Sequence, residues 1–478
     1  MRVTHFLFGL LLCATVHAQE QLGLALGTFA GTDALALNPA RAASQRPWLD
    51  INILGLDQYV WNDRVSLRFR GTPWLKEAAN GIKGLSDGTF DLVDIRSDRD
   101  HAAFVSTRIA GPAFSVSLGR SAIGAHLSTR AYTSVVGVSP ALSNFIMNGL
   151  DHRPQHGIRY RDEHVRVTSA AWTEVGFSYA AILKAQGNTM ITGGATARYL
   201  TAHHGASLVL ETLDHTVVDS MRATIHEASG LFGSATPGLT AGQGWGMDIG
   251  FELHHMMETV DRYLPHRSGN GCTTTEHDWR LGISLLDLGA LKYSTATTGS
   301  FNTASAEFPD YDAITIDGPE GMDSLLSASL DRYALGSALR IGMPTALSVQ
   351  YDQRIARNLN VGAAWVQNVA PRAKHHLRRT NTLGVVPRYG DRWAEVALPI
   401  VVHEYRFERP GVGLMLRVHN ITLGSDHIMP LLTGRDLRML DVYLRVKWTI
   451  HRSPYCRGRK AGKRMPGDTG ALPCELPF

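Results

Sequence analysis

MLDVYLRVKWTI, residues 439–450, alternates between two kinds of side chain along its whole length. The even-numbered positions, from Leu440 to Ile450, are apolar, whereas the odd-numbered positions include Asp441, Arg445 and Lys447. Because successive side chains of a β-strand point to opposite faces, this pattern predicts a strand that separates an apolar from a polar environment. The nature of these two environments decides the fold of the whole chain.

The same alternation recurs along the chain, at residues 114–118, 123–130, 174–183, 245–253, 347–352, 359–365 and 412–419. Many of these segments reach the length that a tilted strand needs to cross a bilayer. Their polar faces combine Gly, Ser, Asp, Glu, Arg and His, as a wet lumen would. The sequence therefore predicts an all-β protein, a transmembrane antiparallel β-barrel of about fourteen strands. A soluble all-β fold also alternates and stays the alternative.

Tryptophans near the ends of these segments favour the barrel, because transmembrane barrels carry aromatic girdles at the two membrane interfaces. The residues that fit such girdles are Trp48, Trp61, Trp172, Trp245, Trp279, Trp393 and Trp448.

The composition and the N-terminus indicate export. The 478 residues are 44% hydrophobic and 19% charged, with a net charge of +4 that is too small to indicate nucleic-acid binding. Arg2 precedes a short apolar run that ends at Val16-His17-Ala18, which predicts a signal peptide cleaved after residue 18. Export permits disulfides, and Cys456 and Cys474 bracket a C-terminal tail that they could close.

A segment of small residues follows the signal peptide and leads into Asn38-Pro39-Ala40. Residues 22–40 resemble the N-terminal signature of FadL-like outer-membrane proteins. Residues 47–56, 281–292 and 344–352 are similar to an uncharacterised Bacteroidetes-type barrel family, which is DUF5723-like. The resemblance implies an N-terminal segment folded inside the barrel as a hatch. Small residues suit this position, since they let a backbone pack within a narrow lumen.

These expectations divide the chain into a signal peptide (1–18), a hatch or lead-in segment (19–46), an outer-membrane barrel (47–451) and a periplasmic tail (452–478). Long connections are predicted at about 71–100, 138–168, 257–276 and 294–343. Within the long loops, apolar residues at helical spacing predict helical elements at 74–85, 140–150 and 321–335.

No motif of hydrolytic, nucleotide-dependent or zinc-dependent catalysis occurs, so we expect no enzyme, no cofactor and no metal site. The histidine pairs at 203–204, 254–255 and 375–376 lie near strand ends, where neighbours face opposite sides and cannot chelate one ion together. The candidate hatch or ligand-binding residues are Asn38, Pro39 and Ala40. The candidate lumen-facing polar residues are Glu174, Asp248, Glu252, Arg417 and Arg445.

The resemblance implies passive transport of small hydrophobic molecules across the bacterial outer membrane. A ligand would enter from the loop side and leave when the hatch moves or at a kink in a strand. The alternative is a non-transporting accessory or scaffold barrel for protein secretion or surface-complex assembly, and an outer-membrane enzyme comes third. Expected partners are outer-membrane lipid, a hydrophobic ligand, and a periplasmic or secretion-system protein, with no nucleic acid.

Overall fold

The computed structural model describes residues 21–69, 90–95, 97–261, 263–266, 274–303, 306–308, 332–371, 375–433 and 437–454. The predicted signal peptide, the predicted helix at 74–85 and the predicted disulfide between Cys456 and Cys474 lie outside these residues. Within them, no helix is both long and apolar enough to cross a membrane.

The described residues form three short α-helices, four 3-10 helices and twenty-three strands. The helices are α1 (Leu22–Ala25), α2 (Pro140–Asn148) and α3 (Met429–Thr433), with the 3-10 helices η1 (Gly31–Ala36), η2 (Pro39–Ser44), η3 (Gly149–Asp151) and η4 (Arg153–Gln155). The strands are β1 (Leu49–Asn62), β2 (Val65–Phe69), β3 (Phe90–Asp94), β4 (His101–Ser117), β5 (Ser121–Val138), β6 (Arg159–Gln186), β7 (Thr189–Val217), β8 (Ala223–Ala235), β9 (Gly242–Met256), β10 (His277–Tyr293), β11 (Ala296–Thr303), β12 (Ala306–Phe308), β13 (Arg332–Gly336), β14 (Leu339–Gly342), β15 (Ala346–Ala356), β16 (Leu359–Asn368), β17 (Thr382–Gly390), β18 (Ala394–Ala397), β19 (Ile400–His403), β20 (Gly411–Val412), β21 (Leu414–Val418), β22 (Ile421–Ser425) and β23 (Met439–Ile450).

Twenty-one of these strands form one sheet, which closes on itself because β1 pairs with both β4 and β23. This closed sheet is the wall of the barrel. Within the described residues the chain runs along the wall fourteen times, each time antiparallel to its neighbours, and we call each passage a barrel strand. Five barrel strands are interrupted and consist of β8–β9, β10–β12, β13–β15, β18–β19 and β20–β21. The remaining pair, β2 and β3, forms a separate hairpin. The predicted barrel of about fourteen strands is confirmed.

The strand at 439–450 shows which environment lies on which side of the wall. Asp441, Tyr443, Arg445 and Lys447 are buried in the interior, whereas Trp448 is 58% exposed on the outer surface. Exposed apolar side chains cover the rest of that outer surface, among them Ile109, Phe114, Val175, Phe177, Leu183, Phe251, Ile283, Val385, Leu416 and Leu423. This arrangement inverts that of a soluble protein and matches a lipid-facing barrel wall, which excludes the soluble alternative.

The wall is much taller on one side than on the other. Strands β6 and β7 have 28 and 29 residues, about three times what a bilayer crossing requires. On β6 the outward residues change from apolar at Val175 and Phe177 to small or polar at Ser169, Ala171 and Thr173. The upper half of this tall wall therefore stands outside the bilayer at the loop end of the barrel. The inner face of this upper half is apolar. It contributes to a hydrophobic core that includes Tyr132, Trp172, Leu200, Leu291, Tyr293, Leu339, Ile341 and Leu377.

The predicted lengths of two connections were wrong, whereas a third long connection joins strands at the end of the barrel opposite the loop end. The connection predicted at 138–168 ends before Arg159, where β6 begins, although it does contain the predicted helix as α2. The region 294–343 includes strands β11 to β14, and residues 332–335 of the predicted helix at 321–335 belong to β13. The connection at 257–276 joins β9 to β10 at the end where the chain enters the barrel, opposite the loop end.

Two of the predicted interfacial tryptophans are instead interior residues. Trp172 is fully buried and donates a hydrogen bond from Nε1 to Glu174 Oε2 at 3.2 Å, and Trp61 packs against Phe104 with ring centroids 5.9 Å apart. Trp245, Trp393 and Trp448 are exposed, as the girdle interpretation requires. Position near the end of a segment does not reveal which face of the strand a tryptophan occupies.

Candidate functional site

The segment before β1 lies inside the barrel, where the hatch was predicted. Helices α1, η1 and η2 lie against strands from most of the wall, and twelve of their sixteen residues are buried. We call residues 21–46 the hatch. Its apolar side chains, including Leu22, Leu24, Leu26 and Leu37, pack on interior wall residues such as Val386, Val401 and Met415.

The predicted Asn38-Pro39-Ala40 motif forms a close contact between the hatch and the wall. Asn38 is fully buried and caps η2, since its Oδ1 accepts a hydrogen bond from the Ala40 N–H at 3.0 Å. Its Nδ2 donates to the Phe251 carbonyl at 3.1 Å and to Gln350 Oε1 at 3.0 Å. The Asn38 side chain thus caps the start of η2 and also joins the hatch to β9 and β15.

The hatch comes so close to the wall here that only glycine fits on the facing strand. A Cβ at Gly194 on β7 would lie 2.7 Å from both the carbonyl carbon and the oxygen of Pro39. We therefore expect Gly194→Val to push the hatch out of place at a cost of about 1–3 kcal/mol. Trypsin cleavage after the buried Arg41, followed by mass spectrometry, measures this displacement.

Gly193 provides the matched control, because the neighbouring residue of a strand faces the other side of the wall. A Cβ there would meet Leu183 Cδ1 at 2.9 Å and Phe251 Cε1 at 3.2 Å, which are ends of flexible side chains on the outer surface. Gly193→Val should leave Arg41 protected. Equal cleavage in both variants would contradict the docked position of the hatch.

Ion pairs hold the hatch to the last barrel strand. Asp33 accepts a hydrogen bond from Arg445 Nε at 2.7 Å and lies 2.5 Å from Lys447 Nζ. Burial alone would raise the pKa of Asp33, but the charges of Lys447 and Arg445 lower it to about 2. Because the folded pKa is depressed, the pairs stabilise the docked hatch above about pH 4, and this contribution is lost as the pH falls toward 2.

All five predicted lumen-facing residues are buried in the interior, in two separate groups. Arg445, Glu252 and Arg417 contact the hatch: Glu252 accepts from Ser44 Oγ at 3.3 Å, and the Arg417 guanidinium lies 5.1 Å from the Phe29 ring centroid. The other two residues, Glu174 and Asp248, belong to a charged cluster at the centre of the barrel.

Asp287 is the hub of this central cluster. It lies in a bulge of β10 with a φ of +51°, a conformation that aspartate tolerates better than most residues. Arg130 donates to both of its oxygens at 2.9 and 3.2 Å, Arg198 to Oδ1 at 2.8 Å, and Arg379 to Oδ2 at 3.2 Å. Arg130 and Arg198 also lie 3.6 Å from Glu174 Oε2. The cluster thus links five neighbouring strands of the wall, β5, β6, β7, β9 and β10, to Arg379.

Arg379 comes from a connection that folds into the barrel from the loop end. The N–H of Gly342 donates to the His375 carbonyl at 2.9 Å, and the N–H of Leu377 donates to the Gly342 carbonyl at 3.0 Å. The N–H of Arg378 reaches Ser134 Oγ on β5 at 3.2 Å. We call residues 375–381 the loop-side plug. The central cluster therefore lies between this plug and the hatch.

The wall has a gap beside the central cluster. Between the pairs Asn52–Ala113 and Gly55–Ala110, residues 53–54 of β1 and 111–112 of β4 do not pair with each other. The register of β4 with β5 shifts at the same level. Pro112 has no N–H to donate to a neighbouring strand. The carbonyl of the preceding residue, Gly111, accepts a hydrogen bond from the Asn52 side chain at 2.8 Å. We call this interruption the wall gap.

A cavity of about 80 Å³ connects the wall gap with the central cluster. Its inner lining includes Arg130 and Asp287, and its outer lining includes Phe114 and Leu127. Those two side chains are 38% and 41% exposed on the lipid-facing surface. The cavity therefore lies between the charged interior and the part of the wall that contains the wall gap.

Comparison with known protein families assigns the chain to one of them. A family model described as a family of unknown function, DUF5723, matches residues 39–426. The chain belongs to the DUF5723 family. The match begins in the hatch turn at Pro39 and ends at Asp426, which accepts hydrogen bonds from the N–H groups of Leu22 at 2.5 Å and Gly23 at 3.3 Å. A search of curated proteins finds no match.

Solved structures similar to this DUF5723 barrel include two toluene transporters and an outer membrane protease. The toluene transporter TbuX of Ralstonia pickettii is 12% identical, with 88% of this chain and 95% of that chain covered and a TM-score of 0.40. The toluene transporter TodX of Pseudomonas putida is 11% identical, with 91% and 98% covered and a TM-score of 0.39. The Escherichia coli protease OmpT is 10% identical, with 84% and 96% covered and a TM-score of 0.20. Similarity this low assigns neither substrate nor activity.

Several buried charged residues of the DUF5723 barrel were missed from the sequence. Asp50 and Asp57 are fully buried on β1, and the alternation in residues 49–52 was the signal that marks Asp50. Asp57 lies beyond the register shift after Asn52, so that alternation does not extend to it. Arg379 stands in a connection without periodic pattern, and no local signal places it in the lumen.

Proposed function

We propose that this barrel lies in the bacterial outer membrane and passively transports small hydrophobic molecules. The observation that carries the proposal is the cavity that lies between the charged interior and the wall gap, with Phe114 and Leu127 of the outer surface in its lining. The hatch and the loop-side plug fill the axis of the barrel, so a lateral exit at the wall gap is the route that needs the least rearrangement. An apolar solute leaving there enters lipid directly and avoids water.

Filling the wall gap from inside tests this proposal. Ala110 is buried, lines the cavity and borders the gap, so Ala110→Phe should occupy the cavity. We expect the wild-type barrel, expressed in a Gram-negative host, to raise the uptake rate of N-phenylnaphthylamine several-fold over the host alone. The Ala110→Phe variant should lose most of this increase, because the aromatic ring blocks the exit.

Ala131→Phe is the control, since Ala131 lies on β5 and is not part of the cavity lining. It should transport the dye like the wild type. Both variants are first checked for heat-modifiable migration on gels, which reports a folded barrel. Unchanged uptake with a folded Ala110→Phe barrel would overturn the lateral route.

The filled lumen also supports a second candidate, a scaffold barrel for secretion or surface assembly. The tall wall carries its own apolar core outside the bilayer, as an extracellular interaction domain would. Native mass spectrometry of the protein extracted from outer membranes separates the two candidates. A bound apolar small molecule favours transport, whereas a stoichiometric second subunit, combined with no dye uptake by the wild type, favours the scaffold.

A further inference from the structure

Two pairs of aromatic rings on the outer surface mark the limits of the bilayer along β9. On the loop side, Trp245 is 69% exposed and packs against Tyr199 with ring centroids 5.3 Å apart. At the opposite end of β9, His255 stacks on Trp279 with centroids 5.8 Å apart. The two pairs are about ten residues apart along the strand, which is the length that a tilted strand needs to cross a bilayer. Tyr199 and Trp245 therefore lie at the loop-side boundary of the membrane.

Two cations lie directly beyond this boundary on the outer face of the wall. Lys292 of β10 and Arg340 of β14 are exposed, whereas their neighbours along both strands belong to the inner core. The two residues stand directly opposite each other in the antiparallel ladder. Lys292 also pairs with Gln243, which lies just beyond Trp245 on the outer face of β9. Like charges directly opposite each other destabilise a sheet, so this position favours a nearby anion.

The part of the chain that the structure describes does not supply this anion. Neither Lys292 nor Arg340 forms a hydrogen bond or an ion pair with a described residue. The loop between β8 and β9, residues 236–241, is uncharged. It is held close to the end of β10, because the N–H of Thr236 donates to the Thr295 carbonyl at 3.2 Å. The anion that completes the pair therefore comes from outside the described chain.

We propose that Lys292 and Arg340 bind a phosphate on the headgroup of a lipid in the outer leaflet. Aromatic belts lie at the level of the headgroups, and the two cations come immediately beyond the belt formed by Tyr199 and Trp245. A phosphate offers several acceptor oxygens, so it can bind the planar guanidinium and the ammonium at the same time. The exposed ring of Trp245 lies on the bilayer side of the pair and packs on the acyl chains of the same lipid.

The lipid site depends on the outer-membrane position proposed above but not on transport. The bound lipid lies on the outside of the wall, on β10 and β14, whereas the wall gap lies between β1 and β4. Loss of one site therefore leaves the other intact.

Two forms of one lipid test the phosphate requirement, diphosphoryl lipid A and the same lipid after removal of its phosphates. Binding of each form to the purified full-length barrel in neutral detergent micelles is measured by native mass spectrometry over a lipid titration. We expect the phosphorylated form to bind about tenfold or more tightly, because each cation near a headgroup contributes to the affinity. Lys292→Gln combined with Arg340→Gln should remove this preference, and Arg340→Lys should keep most of it because the charge remains.

Lys184→Gln combined with Arg357→Gln is the matched control. It also removes two exposed positive charges, but at turns on the opposite side of the bilayer. This control should keep the wild-type preference, and heat-modifiable migration confirms folding of each variant. Equal binding of the two lipid forms by the wild type, or a preference that survives in the Lys292 and Arg340 double variant, would overturn the site. A preference that the control loses as well would reduce it to general charge attraction and would overturn it too.

Inorganic phosphate distinguishes a lipid site from a site for a free anion. Millimolar phosphate should leave the bound diphosphoryl lipid A in place, because the apolar part of the lipid also contacts the wall. Complete displacement by phosphate would show a site for small anions only and would overturn the lipid assignment.

Failure of the transport function has a different signature. Unchanged dye uptake in Ala110→Phe would overturn the lateral route, while a phosphate preference that depends on Lys292 and Arg340 would still support the lipid site. Dye uptake that is lost in Ala110→Phe, combined with equal binding of both lipid forms, would overturn the lipid site and keep the route.

Discussion

Arg445→Met should destabilise the barrel by about 3–5 kcal/mol and release the hatch. Arg445 binds Asp57, Asp33 and the Gln21 side chain, and its own side chain is almost completely buried. Its removal leaves two buried carboxylates short of a partner, which costs more than the pair contributes when it is intact. Unfolding in urea, with the protein in lipid vesicles and followed by tryptophan fluorescence, measures the loss.

Trypsin cleavage after Arg41 gives a second readout, since an undocked hatch exposes this residue. Arg357→Met serves as the control, because a substitution at an exposed turn should change the free energy of unfolding by less than about 0.5 kcal/mol. An Arg445→Met barrel with wild-type stability and a protected Arg41 would show that the ion pairs do not hold the hatch.

Leu444→Arg is the second large effect that we expect. Leu444 lies in the middle of β23 on the lipid-facing side, next to the buried Arg445. A charge on the lipid face near the centre of the bilayer costs about 2–4 kcal/mol, and this should appear as slower and less complete folding into vesicles. The yield of heat-modifiable barrel after refolding from urea gives the measurement.

Thr449→Arg is the control on the same strand. Thr449 lies near the end of β23 on the inner side and donates to Asp50 Oδ1 at 2.8 Å, so an arginine there stays close to a carboxylate and to water. It should fold far better than Leu444→Arg. Similar folding yields for the two variants would be incompatible with the lipid-facing position of Leu444.

The sequence predicted the barrel because its signal is local, whereas the hatch was expected from the resemblance of residues 22–40 to FadL-like proteins. Alternation is a property of adjacent residues, and Asn38 caps η2 through an N–H only two residues away. Prediction failed where one strand runs from the bilayer into the water outside it, because the outward side chains then change from apolar to polar along the strand. The start of β6, RYRDEHVRV, reads as a polar connection because it stands outside the bilayer, although Val165 and Asp162 face a buried interior.

The charge pairs could not be predicted, because they depend on closure of the barrel. Glu174, Asp248 and Arg445 were recognised as lumen residues from their own strands, but their partners come from elsewhere in the sequence. Arg379 reaches Asp287 across 92 residues, and Asp33 reaches Arg445 across 412. The wall gap was equally hidden, since it needs two irregularities on neighbouring strands to fall at one level.

The long separation between Asp33 and Arg445 has a consequence for biogenesis. The hatch is made well before the residues that bind it, because Asp426 and Arg445 follow their hatch partners by 404 and 412 residues. A nascent or C-terminally truncated chain therefore cannot seat its own hatch, whatever the state of the earlier strands. Seating of the hatch is therefore a late step, which requires that the strands carrying Asp426, Arg445 and Lys447 have been made and have joined the wall.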